Sequence, residues 1–292
     1  MWSGIIYTRT KNLDYRYIAI PKNFDSYQLL WLETYVKFLL KKPDNLRENG
    51  SDRRIWSIFK DENYCVIGLT CMVRDLIGFI ELNHPNDYTR DYTQTPIYTF
   101  IGCSIKLKEM SSDVPDFNIL KDKFKNLYEE HVIPVWEELF STTSVSLSPN
   151  INFLEEEKKL SCNAQNNKYD LNTDSNSVLI APMTDENNKG YWYSAYEFSE
   201  PISLCLGFSS EKDLINSPFM NCTINDINLE PTKTIDKNSY ASKSIVINSQ
   251  NSSNSSSINE NFDKNKPDGD IVNFPSKKGF NYWINPLNWR KH

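Results

Sequence analysis

The sequence predicts an α+β fold: a mixed or antiparallel sheet packed with two main helices, then a smaller second α/β lobe, a disordered linker and a short tail motif. Three observations carry that expectation. Extended runs rich in Ile, Val, Tyr and Phe recur through the first half of the chain, as half-buried pleated strands require. Two longer segments repeat apolar residues near the helical period. Residues 248–259 hold ten Asn or Ser in twelve, too little apolar surface to offset the entropy of ordering them, so the folded part ends before them.

Residues 2–10 and 15–20 read as two strands, and the turn at 12–14 makes them a hairpin. A helix follows, capped by Asp25 or Ser26. Leu29, Leu30, Leu32, Val36, Phe38, Leu39 and Leu40 form its apolar face, Trp31 and Tyr35 lie one turn apart, and Pro43 stops it. Extended runs then cover 54–59, 64–73, 76–82 and 97–108. The loop at 83–95 is long and polar, and it carries His84, Pro85, Asn86 and Asp87. Gly68, Gly78 and Gly102, in or beside these strands, mark bulges or close backbone approaches. A second helix runs over about 117–140 from a cap at Asp113 or Asp116. Leu120, Phe124, Leu127, His131, Val135 and Leu139 form its stripe, and Pro134 predicts a kink or a helix pair. These elements make up an N-terminal domain, residues 1–149.

Residues 150–223 are expected to form the smaller lobe. It begins with a charged helical turn at 155–159 and a flexible loop at 163–176. A buried strand at 178–181, an aromatic cluster of Tyr191, Trp192, Tyr193, Tyr196 and Phe198, and a strand at 202–208 follow, then a short helix or loop over 211–222. Core packing is the reading of the aromatic cluster, because strand-like runs flank it. Residues 224–273 read as a disordered linker with one strand-like fragment at 244–248. A flexible chain of that length spans about 40 Å r.m.s..

Composition narrows the function. With 39% hydrophobic and 13% aromatic residues in 292, the chain has enough apolar material for a core. Its formal charge is -6, and setting aside the four basic residues of the tail leaves 28 basic against 38 acidic side chains, or -10, on residues 1–273. An acidic body lacks the clustered Lys and Arg that release phosphate counterions, so no nucleic-acid partner is expected. The N-terminus shows no basic region followed by an apolar core, and no run approaches a membrane span. The expectation is a soluble, cytoplasmic protein whose six scattered cysteines, at 65, 71, 103, 162, 205 and 222, are buried reduced thiols.

No motif fixes a chemistry. Cys65, Cys71 and Cys103 lie inside apolar strand patterns, where a cysteine is a small hydrophobe and not a nucleophile. His131 falls on a helix stripe, as a core histidine with one hydrogen-bond partner does, and Glu129/Glu130 and Glu137/Glu138 read as the solvated face of that helix. Clustered Cys and His at metal-binding spacing are absent, as are G-x-x-x-x-G-K-[ST] and G-x-G-x-x-G. Neither a metal nor a cofactor is expected. The enzymatic alternative is a hydrolase in which His84 and Asp87 form a dyad that works with a nearby thiol or hydroxyl.

The tail is where the sequence points to a role. Residues 274–292 hold five aromatics, four basic side chains and no acid. Phe280, Tyr282, Trp283, Ile284, Leu287 and Trp289 follow a linker and have no neighbouring element in sequence to pack against, while Arg290 and Lys291 add charge. Docking on a partner protein is the leading expectation, with Trp283 and Trp289 as anchors. Docking back on the body, or peripheral contact with a bilayer interface, are the alternatives, the latter weakened by Gly279 and Pro286.

The runs Arg54-Ile55-Trp56, Tyr64-Cys65-Val66-Ile67-Gly68-Leu69-Thr70 and Tyr98-Thr99-Phe100-Ile101-Gly102 resemble the N-terminal α/β region of uncharacterised bacterial adaptor-type proteins. Those proteins accompany GTPase or other NTPase modules in multi-gene conflict systems. The resemblance covers residues 1–140 and carries no catalytic signature. It implies an adaptor that links an NTPase or sensor to an effector component.

Overall fold

The computed structural model describes residues 2–40, 54–78, 87–140, 145–146, 169–208, 211–214, 216–225 and 232–237. Ten strands among them join one mixed sheet: β1 (Ser3–Thr8), β2 (Arg16–Ile20), β3 (Ile55–Lys60), β4 (Tyr64–Met72), β5 (Tyr98–Lys106), β6 (Val145–Ser146), β7 (Ser177–Pro182), β8 (Ile202–Phe208), β9 (Asn221–Ile224) and β10 (Lys233–Asp236). Their order across the sheet is β10-β7-β9-β8-β3-β4-β5-β1-β2-β6. From β8 to β2 every neighbouring pair is antiparallel. On the far side β7, β9 and β8 run parallel to one another.

Helices cover both faces: α1 (Ser26–Leu40), α2 (Val73–Ile77), α3 (Phe117–His131) and α4 (Asp185–Glu197). Alternation along the strands divides the core accordingly. Ile5, Phe59, Val66, Phe100 and Cys205 pack with Leu32, Tyr35, Val36 and Leu39 of α1. Ile6, Ile58, Cys65, Ile67 and Cys103 pack with α2, with Leu120, Phe124 and Leu127 of α3, and with Tyr191, Trp192 and Tyr196 of α4. Each large side chain buried in these layers contributes about 1.5–3 kcal/mol relative to exposure.

Local chemistry sets the helix ends. Asp25 Oδ1 accepts from the Tyr27 and Gln28 amides at 2.8 and 3.1 Å, while Gln28 Oε1 accepts from the Asp25 amide at 3.1 Å, a reciprocal cap that starts α1. Asp116 caps α3 through the Asn118 amide at 2.8 Å. The expected continuation of that helix to 140 does not occur. Pro134 has no N–H to donate, and the chain tightens after His131 into a 3-10 turn at Ile133–Val135. Thr184 caps α4, accepting from the Asn187 amide at 3.0 Å, and Asp185 and Glu186 complement its dipole.

Several boundaries differ from the sequence reading. The strand expected at 76–82 begins inside α2, and residues 79–82 lie outside the described ones. The aromatic cluster at 191–198 lies on and just after α4, with Tyr191, Trp192 and Tyr196 buried. Residues 150–223 do not make a separate lobe. β8 pairs with β3 from Trp56↔Leu206 to Lys60↔Ile202, so one ladder joins the two regions, and all described residues fall in one compact unit within Met1–Ile247. β9 and β10 had no expectation as strands. β10 pairs antiparallel with β7, so a linker cannot begin at 224. The remaining linker, with 244–248, and the tail at 274–292 lie outside the described residues, as do 155–159 and 163–168. No helix among the described residues is long and apolar enough to cross a membrane.

Candidate functional site

Polar side chains concentrate where the end of β1, the loop at 87–97 and the chain after α3 converge. Asp91 is the centre of this cluster. Its Oδ1 accepts from the Thr93 amide at 2.8 Å, the Thr93 hydroxyl at 2.6 Å and the Thr95 amide at 2.9 Å. Its Oδ2 meets Arg9 Nη1 at 3.0 Å, and the Asp91 side chain is 1% exposed. Burial pushes the Asp91 carboxyl up, but the Thr93 hydroxyl, the Thr95 amide, the Arg9 guanidinium and the Thr93 amide outweigh it, so the group is held below its ordinary value.

The loop folds around this carboxylate. Asp91 N donates to Thr95 O at 3.0 Å and Gln94 N to Asp91 O at 2.9 Å, with Gln94 at φ 64° in the left-handed region. Arg90 Nη1 donates to Gln94 O at 2.9 Å. Outside contacts fix its position. Tyr92 N donates to Lys11 O at 3.2 Å, Lys11 Nζ bonds Glu137 Oε1 at 2.8 Å, and the Tyr88 and Trp136 rings meet edge to face at 5.5 Å. The Arg9 guanidinium lies 5.8 Å from the centroid of the Tyr15 ring.

A general base needs an accessible lone pair. Asp91 has none to spare, so the arrangement is a loop lock. Asp87 differs. Its Oδ1 accepts from the Thr89 amide at 2.9 Å and hydroxyl at 2.6 Å. Its Oδ2 is buried, 3.9 Å from Arg90 Nε, with no hydrogen bond among the described residues. His84, its expected dyad partner, lies outside them. The sequence reading singled out Asp87 and missed the Arg9–Asp91 pair, although Asp91-Tyr92-Thr93-Gln94-Thr95 carries the Asp-x-Thr spacing of an Asx turn.

The other sequence candidates are placed as structural parts. Cys65, Cys71 and Cys103 are fully buried. Burial pushes the Cys65 thiol to about 12, slightly opposed by Lys60, and raises Cys103 well above its ordinary value, the reverse of what a nucleophile needs. His131 ends α3, 4.0 Å from Glu130, and burial lowers its pKa against the opposing pull of that carboxylate. No group of three or more His, Cys, Asp or Glu that could hold a metal ion occurs among the described residues. Phe280, Tyr282, Trp283, Ile284, Leu287, Trp289, Arg290 and Lys291 all lie outside them.

The body also presents an open groove of about 520 Å³ along the outer side of α1. Leu30, Thr34, Phe38 and Pro218 line it, together with the ion-paired Glu33 and Lys37. Tyr27 and Leu30, one turn apart on α1, are 66% and 65% exposed. No family model matches this chain, and no curated protein or solved structure gives a match.

Proposed function

We propose that this chain is a non-enzymatic adaptor that recruits a protein partner through the aromatic-basic segment at 274–292. The observation that carries the reading is the composition of that segment: five aromatics and four basic residues in nineteen, with no acid, behind an Asn/Ser run. Trp and Tyr supply large contact area at low entropic cost, and a tether raises the local concentration of whatever the segment binds. The resemblance of residues 1–140 to conflict-system adaptors points to an NTPase or effector component as that partner, and to work in the cytoplasm. Exposed Tyr27 and Leu30 offer the body a contact surface of its own.

Affinity capture from the native extract with the full chain and with a chain ending at Asn273 tests the reading. A protein retained only by the full chain, and displaced by a synthetic peptide of residues 274–292, supports it. Equal capture by both chains, or no displacement, overturns it.

One observation favours a second reading, a hydrolase using His84 and Asp87. Asp87 Oδ2 is a buried carboxylate oxygen with no hydrogen bond among the described residues, as suits a group that orients an imidazole. A hydrolytic activity abolished by His84→Ala and weakened by Asp87→Asn, with the melting temperature kept, would replace the adaptor reading. Activity indifferent to His84 removes the dyad.

A further inference from the structure

β8 and β9 run parallel, and Cys205 and Cys222 are direct register partners on them. Both side chains lie in the layer beneath α1, at 0% and 1% exposure. Register partners on neighbouring strands stand about 4.8 Å apart, within the Cα separation that a disulfide spans. Both side chains belong to one core cluster and neighbour each other directly across the ladder. Burial raises the Cys205 thiol well above its ordinary value, so the pair reacts only where the sheet opens. Cys65 and Cys103 differ, being offset in register, with Cys65 opposite Ile105 and Cys103 opposite Ile67.

We propose that Cys205 and Cys222 are an oxidisable dithiol that closes to a cross-strand disulfide when hydrogen peroxide enters the sheet. Cys222 loses its proton, and its thiolate sulfur attacks one peroxide oxygen. The O–O bond breaks, and the departing hydroxide takes the released proton to become water, leaving a sulfenic acid on Cys222. The Cys205 sulfur then attacks the Cys222 sulfur. The S–O bond breaks, and the hydroxide leaves with the Cys205 proton as a second water. Two thiols are oxidised by two electrons, and one peroxide is reduced to two waters.

The bridge closes the chain between the two strands, which carries Leu214 and Phe219 into the core and supplies Asn216, Ser217 and Pro218 to one wall of the α1 groove. Oxidation therefore fixes that wall. Opening of β9 admits the oxidant, so the reaction is slow compared with an exposed thiol.

The test treats the full chain with hydrogen peroxide while folded, alkylates it with N-ethylmaleimide after denaturation, and maps its peptides by mass spectrometry. Glutathione in a parallel tube confirms that the oxidant is active. The expected product is one intramolecular peptide pair joining Cys205 to Cys222, two hydrogens lighter than the dithiol and restored by dithiothreitol. Its thermal midpoint rises by roughly 5–10 °C and falls back on reduction. Cys205→Ser leaves Cys222 as a sulfenic acid that dimedone traps. Recovery of both cysteines as alkylated thiols overturns the proposal, and so do mixed pairings with other cysteines. The wild-type map decides even where a serine variant fails to fold.

Discussion

Gly68 and Gly102 stand directly opposite each other on β4 and β5, at the centre of the sheet, and the buried ring of Phe100 lies over both. A side chain on either would enter the space the ring fills. At Gly102 a Cβ would also meet Ile67 O at 2.5 Å and Gly68 Cα at 3.1 Å, both backbone atoms.

Gly102→Ala should therefore destabilise the fold by about 3 kcal/mol, since the ladder cannot shift without losing hydrogen bonds. Gly68→Ala clashes chiefly with the ring, its Cβ also meeting Ser57 Oγ at 3.3 Å. Adding Phe100→Leu to Gly68→Ala should give a double variant more stable than the sum of the single losses predicts. Urea unfolding of the four proteins checks this, and strict additivity would remove the ring from the account.

Lys60 is 3% exposed, and its ammonium donates to Tyr196 O and Phe198 O at 2.6 Å each. Those carbonyls belong to the end of α4, where acceptors lack helical partners. Lys60→Met keeps the aliphatic stem and removes both bonds, and should cost about 2–3 kcal/mol. Burial lowers the Lys60 pKa, with Cys65 a small opposing influence. Between that lowered value and 10.5 the unfolded chain holds the extra proton, so stability gains with rising pH. Stability measured from neutral to alkaline pH should show this gain in the wild type and not in Lys60→Met.

Asp91 acts at the other end of the pH scale. Its carboxyl is held below 3.8, so its contribution is complete above that value and is lost as pH falls through the folded pKa. Asp91→Asn keeps the shape but strands the Arg9 guanidinium, and should cost about 3 kcal/mol at neutral pH. The difference between wild type and variant should shrink on acidification below about 3.8. A difference independent of pH would mean that charge is not what matters at this site.

Much of the architecture was legible because one local signal sufficed for each element. β1 to β5 showed as Ile, Val, Tyr and Phe runs, and α1 and α3 as apolar stripes behind Asp caps. The failures share a cause. β9 has four residues, Asn-Cys-Thr-Ile, and β10 has Lys-Thr-Ile-Asp. Neither has the length or alternation to announce a strand, and both are strands because β7 and β8 offer them ladders. The absence of a lobe boundary at 150 has the same origin, since the β3–β8 pairing is a long-range contact that no window of sequence contains. At the candidate site, Asp87 was visible as loop chemistry, whereas Arg9 and Asp91 are 82 positions apart and only the fold joins them.

Trp283 and Trp289 test the adaptor reading most directly. Truncating both to Ala removes the two largest apolar side chains of the tail and leaves its basic charge intact. If the segment docks on a partner, capture should fall at least tenfold, as expected when two aromatic anchors are lost, while the melting temperature of the body stays within about 1 °C, as for surface changes. A drop of several degrees would show that the tail packs on its own body. Unchanged capture that weakens with salt would instead assign binding to Lys277, Lys278, Arg290 and Lys291, because screening acts on charge and not on aromatic burial.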